Sequence, residues 1–329
     1  MGMMIKDDKA GWVDLGAIPS LLPQDLQAPL VKERREKFSL QFGDLDLIQI
    51  TLPNIYIVYG DLQMKQHLLN MRTHDVPDMV ELHFVLNGSG LVLEQISGTR
   101  YHFRELQHDL LYMPSFDGSL AYSGDTPYQF FEIHFTRRYF LELAQFANAP
   151  LRRFADHVAG GRQARISSDY TPISLAMHQC IREIMACKFA GGLKLLFLQS
   201  KAVEMLTLQA EAFDRIENSR STVLHSSRDR DCIMQAREYL LQHMATPPSL
   251  TELAAITGTN VFKLKNGFKE LFDTTVFGYL GEVKMSRAKE MLEEGMAIKE
   301  VSEILGYSSV QHFGTAFRKR FGITPGAVR

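Results

Sequence analysis

Two stretches near the carboxyl end of the chain carry hydrogen-bonding and cationic side chains at the spacing of a helix. The first stretch contains Asn260, Phe262, Lys263, Lys265, Asn266 and Lys269. The second contains Ser308, Ser309, Gln311, His312, Thr315, Arg318 and Lys319. Amide, hydroxyl and imidazole groups can bond to base edges in the major groove of DNA, and lysine and arginine attract phosphates. The two stretches therefore predict two DNA-contacting surfaces.

The first stretch lies on a predicted pair of helices joined by a tight turn. Ser249 and Glu252 have the spacing of a capping box, which predicts that a helix begins at Ser249. Gly258 supplies the turn, and Asn260 can cap a second helix. The apolar side of that second helix is formed by Leu264, Phe268 and Leu271.

The same layout recurs 48 residues later, counted from Gly258 to Gly306. Residues 298–307 predict a helix and its turn, Ser308 and Ser309 can cap the next helix, and Phe313 and Phe317 form that helix's apolar side. Between the two pairs, residues 276–294 predict one amphipathic connecting helix. Two helices held in this way can enter successive major grooves, which lie about 34 Å apart on one face of the duplex.

Residues 229–329 resemble the carboxy-terminal domain of the AraC/XylS family of bacterial regulators. The resemblance is carried by Val-Ser-Glu-Ile-Leu-Gly-Tyr-Ser-Ser at 301–309 and Phe-Gly-Thr-Ala-Phe-Arg-Lys-Arg-Phe-Gly-Ile-Thr-Pro at 313–325. It implies promoter DNA as a partner, and RNA polymerase as well if the protein is an activator. It also implies which residues read bases, namely Phe262, Lys265 and Asn266 in the first pair and Gln311, His312 and Thr315 in the second.

The region ahead of these helices begins with strands and continues with helices. Residues 38–135 form short apolar or alternating runs separated by turn residues, which predict a small barrel or sandwich. From Arg137 the apolar period becomes helical. Helices are predicted at 139–148, 172–189 and 193–213. An apolar stripe on the last, which predicts either dimerisation or packing on the strands, consists of Leu195, Leu198, Ala202, Met205 and Leu206.

In many family members a cupin-type ligand-binding domain precedes the DNA-binding module, and the strand-rich region resembles it. The predicted fold class is α+β: an amino-terminal cupin-like β-barrel with appended helices, then an all-α domain with two helix-turn-helix motifs joined by a long helix. We divide the chain into an amino-terminal extension (1–37), a cupin-like effector-binding domain (38–160), a helical dimerisation and coupling segment (161–217), a linker (218–230) and an AraC-type DNA-binding domain (231–329).

Residues 80–90, 192–202, 263–272 and 274–280 are similar to the branch of the family that contains the siderophore-responsive iron-uptake regulators of the pyochelin and yersiniabactin type. This similarity implies a ferric siderophore as the effector and iron-uptake genes as targets. A regulator of sugar or aromatic-compound metabolism is the alternative within the family. The candidate effector-binding residues are His83, Arg100, Arg104 and His134, because imidazole binds metals and arginine binds carboxylates.

We predict no catalytic residue, no intrinsic metal site and no intrinsic cofactor. Catalytic cupins hold iron or manganese through a His-x-His pair, a nearby glutamate and a later histidine, and no His-x-His occurs in this sequence. The rival hypothesis is a cupin-type metal-dependent enzyme fused to a DNA-binding domain. The missing ligand set argues against that rival.

Composition limits the remaining possibilities. The net charge of −2 means that DNA binding must depend on local cations. Charged residues within 1–24 argue against a secretory signal, and no run of about 18 apolar residues predicts a membrane span. Cys180, Cys187 and Cys232 are too few for a disulfide framework. These features predict a cytoplasmic protein with no membrane partner, which we expect to be a homodimer.

Overall fold

A computed structural model of the chain describes residues 2–7, 11–14, 26, 30–40, 42–65, 68–74, 78–96, 98–122, 127–167, 171–218, 223–224, 227–272 and 274–328. The chain divides into two compact units, residues 1–219 and residues 220–329. We call them the sheet unit and the helix unit.

The sheet unit contains two antiparallel sheets. In chain order its strands are β1 (Gly2–Asp7), β2 (Gly11–Asp14), β3 (Lys32–Leu40), β4 (Gly43–Leu52), β5 (Ile55–Met64), β6 (Leu68–His74), β7 (Met79–Asn87), β8 (Gly90–Glu94), β9 (Arg100–Phe103), β10 (Gln107–Tyr112), β11 (Asp117–Tyr122), β12 (Tyr128–Thr136), β13 (Ala164–Arg165) and β14 (Thr171–Pro172). The first sheet has the order β2-β1-β6-β11-β8-β9. The second has the order β13-β10-β7-β12-β5-β4-β3, with β14 also paired to β10.

The central strands of the second sheet are covered on both faces. Successive side chains along each strand point to opposite faces. On one face, Leu82, Phe84 and Ile133 pack with the helices of the sheet unit. On the other face, Val85 and Tyr128 pack against residues of the first sheet. The two sheets therefore lie face to face, and the space between them forms the interior of the sheet unit.

Helices cover the outer face of the second sheet. They are α1 (Arg137–Ala144), α2 (Ala149–Ala159), α3 (Leu175–Met185) and α4 (Gly191–Asn218). The predicted apolar stripe on α4 is buried within the chain, because Leu198, Ala202 and Met205 all have no exposed surface. The opposite side of the same helix leaves Leu193 and Leu196 exposed at 65% and 64%.

Within the predicted amino-terminal extension (1–37), strands β1, β2 and the first part of β3 belong to the sheets, which corrects the start of the sheet-forming region at residue 38. Strand β1 pairs with β6, and β3 pairs with β4 from Lys32 opposite Thr51 to Leu40 opposite Gly43. Strand β3 reads Lys-Glu-Arg-Arg-Glu-Lys at its start and so lacks an apolar alternation. Charged residues are common on edge strands, where the backbone pairs on one side only.

Three helical boundaries also differ from prediction. The helix expected at 139–148 is α1, which ends earlier, at Ala144, and a separate helix that was not predicted, α2, follows because Asn148 caps it and Pro150 fits its first turn. The segment 161–217, expected to be helical, begins with β13 and β14, which hydrogen-bond to β10, and the next helix begins at Leu175. In the predicted linker 218–230, residues 227–230 belong to a helix, while 219–222 and 225–226 lie outside the described residues.

The helix unit contains α5 (Ser227–Gln242), α6 (Leu250–Ile256), α7 (Val261–Phe272), α8 (Val276–Glu293), α9 (Ile298–Ile304) and α10 (Val310–Phe321), followed by a 3-10 turn at Pro325–Ala327. Helices α6 and α7 form one pair, and α9 and α10 form another, with α8 between them. Leu264, Phe268, Phe313 and Phe317 are fully buried, as the apolar pattern of each second helix predicts.

The two bends, one in each helix pair, have glycines in the same left-handed conformation but in different surroundings. Gly258 has φ 66° and Gly306 has φ 70°. A Cβ added at Gly258 would meet open space, whereas one added at Gly306 would overlap the backbone carbonyl of Ala245. The second bend is therefore held against the loop before α6.

We predict that Gly306→Ala destabilises the protein more than Gly258→Ala does. Both changes place an alanine in a left-handed conformation, at a cost of about 1–2 kcal/mol. Gly306→Ala adds a collision with backbone, which should cost roughly a further 1–3 kcal/mol. Urea unfolding followed by circular dichroism measures both changes, and equal losses would contradict the close approach to Ala245.

Candidate functional site

The first helix pair is built from local capping interactions that the sequence predicts. Ser249 accepts a hydrogen bond from the amide of Glu252, and the Glu252 carboxylate accepts one from the amide of Ser249 at 2.8 Å. Asn260 caps α7 in the same way, because its Oδ1 accepts from the amide of Lys263 at 2.8 Å. Its side chain therefore orients the helix that carries the predicted base-reading residues.

The outward side of α7 combines exposed and internally bonded side chains. Phe262 is 67% exposed, and Lys265 and Lys269 are also exposed. The Asn266 amide donates to the backbone oxygen of Phe262 at 2.9 Å. Lys263 Nζ lies 2.7 Å from Asp229 Oδ1 on α5, so this cation has a carboxylate partner within the helix unit.

In the second helix pair, α10 is capped as α7 is, whereas Ala297 before α9 provides no side-chain cap. Ser309 caps α10 by accepting from the amide of His312 at 3.2 Å, and Ser308 Oγ lies 2.8 Å from His312 Nδ1. Thr315 Oγ1 donates to the backbone oxygen of Gln311 at 2.9 Å. The side chain of Gln311, in the first turn of α10, is exposed to solvent.

The carboxyl end of α10 exposes two of its three successive cations. Arg318 and Lys319 are exposed, whereas Arg320 turns back to bond with Glu282 on α8. Basic residues in the last turn also interact favourably with the negative end of the helix dipole. Arg318 and Lys319 are therefore the cations of this helix that face solvent.

A second candidate site lies inside the sheet unit, where two Glu-x-His sequences meet on adjacent strands. Glu81 and His83 are on β7, and Glu132 and His134 are on β12. The antiparallel register places Glu132 opposite His83 and His134 opposite Glu81. Each glutamate therefore faces the histidine of the other strand.

The four side chains form one hydrogen-bonded cluster. His83 Nδ1 lies 2.8 Å from Glu81 Oε1 and 3.0 Å from Glu132 Oε1. The opposite ring nitrogen, Nε2, lies 3.1 Å from the hydroxyl of Tyr128. His134 Nε2 lies 3.0 Å from Glu132 Oε2. Glu132 thus holds both histidines.

Electrostatics favour the ionised form of this cluster. Burial opposes the charge on His83, but hydrogen bonds to Glu132 and Glu81 outweigh it and raise the pKa of His83 to about 10. Burial likewise opposes ionisation of Glu132, yet hydrogen bonds from His134 and His83 lower its pKa to about 2. The pKa of His134 is also raised, because its bond to Glu132 outweighs burial.

A buried histidine joins the second sheet to α4. His108 on β10 has no exposed surface, and its Nδ1 lies 3.1 Å from Gln209 Nε2 on α4. Gln209 also donates to the backbone oxygen of Asp109 at 3.1 Å. The His108 ring lies against Phe84 and Phe213, and burial lowers its pKa to about 3. His108 is therefore neutral in the folded protein at ordinary pH.

Family comparisons identify both parts of the chain. A helix-turn-helix domain family matches residues 253–329. The family described as the regulatory protein PchR amino-terminal domain matches residues 42–224, which is more than half of the chain. This chain belongs to the PchR-type regulators of the AraC family. The recognition made from the sequence is thereby confirmed.

Individual proteins resemble this family member over shorter spans. Regulatory protein PchR from Pseudomonas aeruginosa is 36% identical over 136 residues, which cover 40% of this chain and 44% of PchR. The xylose operon regulatory protein from Haemophilus influenzae is 30% identical over 113 residues, covering 34% of this chain and 29% of that protein. The aligned segments thus span less than half the length of these two relatives.

Two solved structures are similar to this chain at low sequence identity. A variant of ToxT from Vibrio cholerae, without ligand, is 13% identical, with 83% of this chain and 96% of that chain covered and a TM-score of 0.36. An AraC-type transcriptional regulator from Chromobacterium violaceum is 24% identical, with 31% and 88% covered and a TM-score of 0.27. Separately, no described helix of our chain combines the length and apolar character needed to cross a membrane.

The structure brings together half of the predicted effector residues. His83 and His134 meet in the interior cluster, whereas Arg100 and Arg104 lie on and just after β9, at the edge of the first sheet, and are exposed. Glu81 and Glu132, which complete the cluster, were not predicted as site residues. The signal was present, because Glu-x-His occurs in both strands and residues two apart on a strand share a face.

We predict that His108 makes the sheet unit sensitive to mild acid. Its folded pKa lies below the unfolded value, so the unfolded chain takes up a proton that the folded chain excludes, and stability falls as pH drops below about 6.5. Between about pH 6.5 and 5, protonation of this group alone should lower the free energy of unfolding by roughly 2 kcal/mol, at about 1.4 kcal/mol per pH unit. Urea unfolding should show that His108→Gln loses less of its free energy of unfolding over this pH range than wild type does, by that amount.

The matched control is His157→Gln, which removes an exposed histidine from α2. It should follow the wild-type pH dependence. An equally steep loss in His108→Gln would show that His108 is not the group responsible.

Proposed function

We propose that this chain is a transcription regulator that binds a specific site on double-stranded DNA and responds to a small effector held in the sheet unit. The observation that carries the proposal is the repeated helix pair, in which α7 and α10 are each capped and each present cations and polar side chains to solvent. The helix-turn-helix family match supports interpreting both pairs as helix-turn-helix motifs. Such second helices enter the major groove with their amino-terminal residues toward the bases.

The residues divide by the chemistry that DNA requires. Gln311 is exposed in the first turn of α10, where an amide can bond bidentately to adenine. Lys265, Lys269, Arg318 and Lys319 are exposed cations that can neutralise phosphates. Lys263 must first leave Asp229 to do so.

We predict different losses for a base-reading and a phosphate-binding change. A binding site is first selected with the full-length protein from a random-sequence DNA library. Gln311→Ala should weaken the free energy of binding to the selected site by about 1–3 kcal/mol while leaving binding to random DNA nearly unchanged. Lys319→Ala should weaken binding to both DNAs alike. It should also reduce the slope of log K against the logarithm of the salt concentration by about one. Fluorescence anisotropy at several salt concentrations measures both effects.

Lys299→Ala is the charge-matched control, because it removes an exposed lysine from α9, the first helix of its pair. It should leave specific binding close to wild type. Equal losses on the selected site and on random DNA for Gln311→Ala would refute the assignment of Gln311 to base reading. Failure to select any enriched sequence would refute the proposal itself.

The proposed effector is a ferric siderophore, with iron-uptake genes as the regulated targets. The similarity of residues 80–90 and 192–202 to siderophore-responsive family members supports it, and the interior of a cupin-like barrel is the proposed site. His83 and His134 line that interior, while Arg100 and Arg104 lie at the sheet edge, where they can meet an anionic ligand. Effector binding is proposed to change the affinity for DNA by shifting the population of binding-competent forms.

We predict that a ferric siderophore raises the melting temperature of the full-length protein and that sugars and aromatic acids do not. A ligand at 100 times its dissociation constant stabilises the folded state by about 2.7 kcal/mol. The same siderophore should change the anisotropy-derived affinity for the selected DNA. Stabilisation by a sugar or an aromatic acid alone would replace the iron-uptake role with the metabolic alternative.

The remaining parts of the proposal concern assembly and chemistry. The exposed side of α4 and the segment before it, with Phe189, Leu193 and Leu196, is proposed to pack against a second copy of the chain. Sedimentation velocity at several concentrations reports this dimer. We also propose a cytoplasmic regulator rather than an enzyme, with RNA polymerase as a partner if it activates.

A further inference from the structure

The two Glu-x-His pairs place four metal-binding side chains on one interior face. Glu81, His83, Glu132 and His134 all point away from the helix-covered core, since they alternate with Leu82 and Ile133. Their side chains are between 12% and 28% exposed. Carboxylate and imidazole ligands are thus concentrated where little water reaches.

The separation of the ligand atoms fits a single small ion. One ligand atom from each of Glu81, Glu132 and His134 lies within 4.8 Å of the other two. Bonds of about 2.0–2.2 Å from nitrogen or oxygen to a metal place two ligand atoms up to about 4.4 Å apart. The ligand atoms therefore need to approach by at most about 0.4 Å, the difference between 4.8 Å and about 4.4 Å.

The neighbouring side chains already hold these ligands in position. His83 Nδ1 contacts a carboxylate oxygen of Glu81 and of Glu132, and its other ring nitrogen is held by Tyr128. The His134 ring packs on Tyr56, with ring centroids 5.4 Å apart. Partners of this kind orient metal ligands and commonly change metal affinity about 10- to 100-fold when they are removed.

We propose that Glu81, Glu132 and His134 bind one divalent first-row transition-metal ion, with His83 as a positioning residue for both carboxylates. The imidazole favours iron, cobalt, nickel or zinc over calcium and magnesium, which bind through oxygen. The ion takes the place of the proton that His134 shares with Glu132, because a ligating imidazole must be neutral, and the two carboxylates then face the charge of the ion. This site replaces the expectation of no intrinsic metal site. It shares His83 and His134 with the interior proposed for the effector, but it takes the bare ion, so the two proposals are tested separately.

The test uses the full-length protein, stripped with a chelator and dialysed, and Co²⁺ as a spectroscopic probe. Calorimetry and the visible absorption of Co²⁺ should both report one ion per chain. Glu132→Gln and His134→Ala should weaken Co²⁺ binding by at least about tenfold. His157→Ala, which removes an exposed histidine from α2, should stay within about twofold of wild type.

Two further variants keep the test decisive if a buried change prevents folding. Glu81→Gln alters the most exposed of the three ligands, at 28%, and should weaken binding as strongly. His83→Gln should weaken binding and also shift the Co²⁺ absorption bands, because the carboxylates lose their orientation. Circular dichroism establishes which variants are folded.

Absence of Co²⁺ binding by wild type would overturn the proposal, as would unchanged affinity in folded Glu81→Gln and His134→Ala. Because no DNA or siderophore is present, either result leaves the selected-DNA and siderophore measurements unaffected. Conversely, failure of those measurements leaves the Co²⁺ stoichiometry standing.

Discussion

The register that pairs β12 with β7 from Phe130 opposite Val85 to Thr136 opposite Met79 is the constraint on which the sheet unit depends. These strands lie in the middle of the second sheet, so both edges of each are paired. The helices cover one face of these strands, and the first sheet covers the other. In the observed register, Leu82 and Ile133 face the helices while Glu132 and His83 face the interior. A slip of one residue would exchange the two sets and bury charges against the helices. The apolar core and the polar cluster therefore require the same register.

The helix side of this sheet explains how α4 is held. Its inner stripe packs in the same apolar core as Phe84 and Phe131, and Gln209 adds a polar contact to His108 on β10. A glutamine and a neutral histidine can bond there without burying a net charge. A change in the shape of the sheet can therefore reach α4 through packed side chains, which is a physical route for an effector signal.

The helix unit could be predicted largely from local sequence, whereas the sheet unit could not. The Ser249–Glu252 cap, the turn at Gly258 and the Asn260 cap each depend on residues within four positions of one another. Strand β3 has no apolar pattern and forms because β4 offers it an edge. Likewise, Glu132 and His83 are 49 residues apart, so their contact depends on strand pairing that a single sequence does not specify.

The close approach of Gly306 to Ala245 has a consequence for exchanging parts between regulators. The second helix pair is not an interchangeable module, because its bend fits against the loop that leads into the first pair. A hybrid protein that receives α9 and α10 from a relative must also receive a compatible loop before α6. Recombination points that keep this contact intact lie ahead of Ala245, so the two helix pairs have to be transferred together.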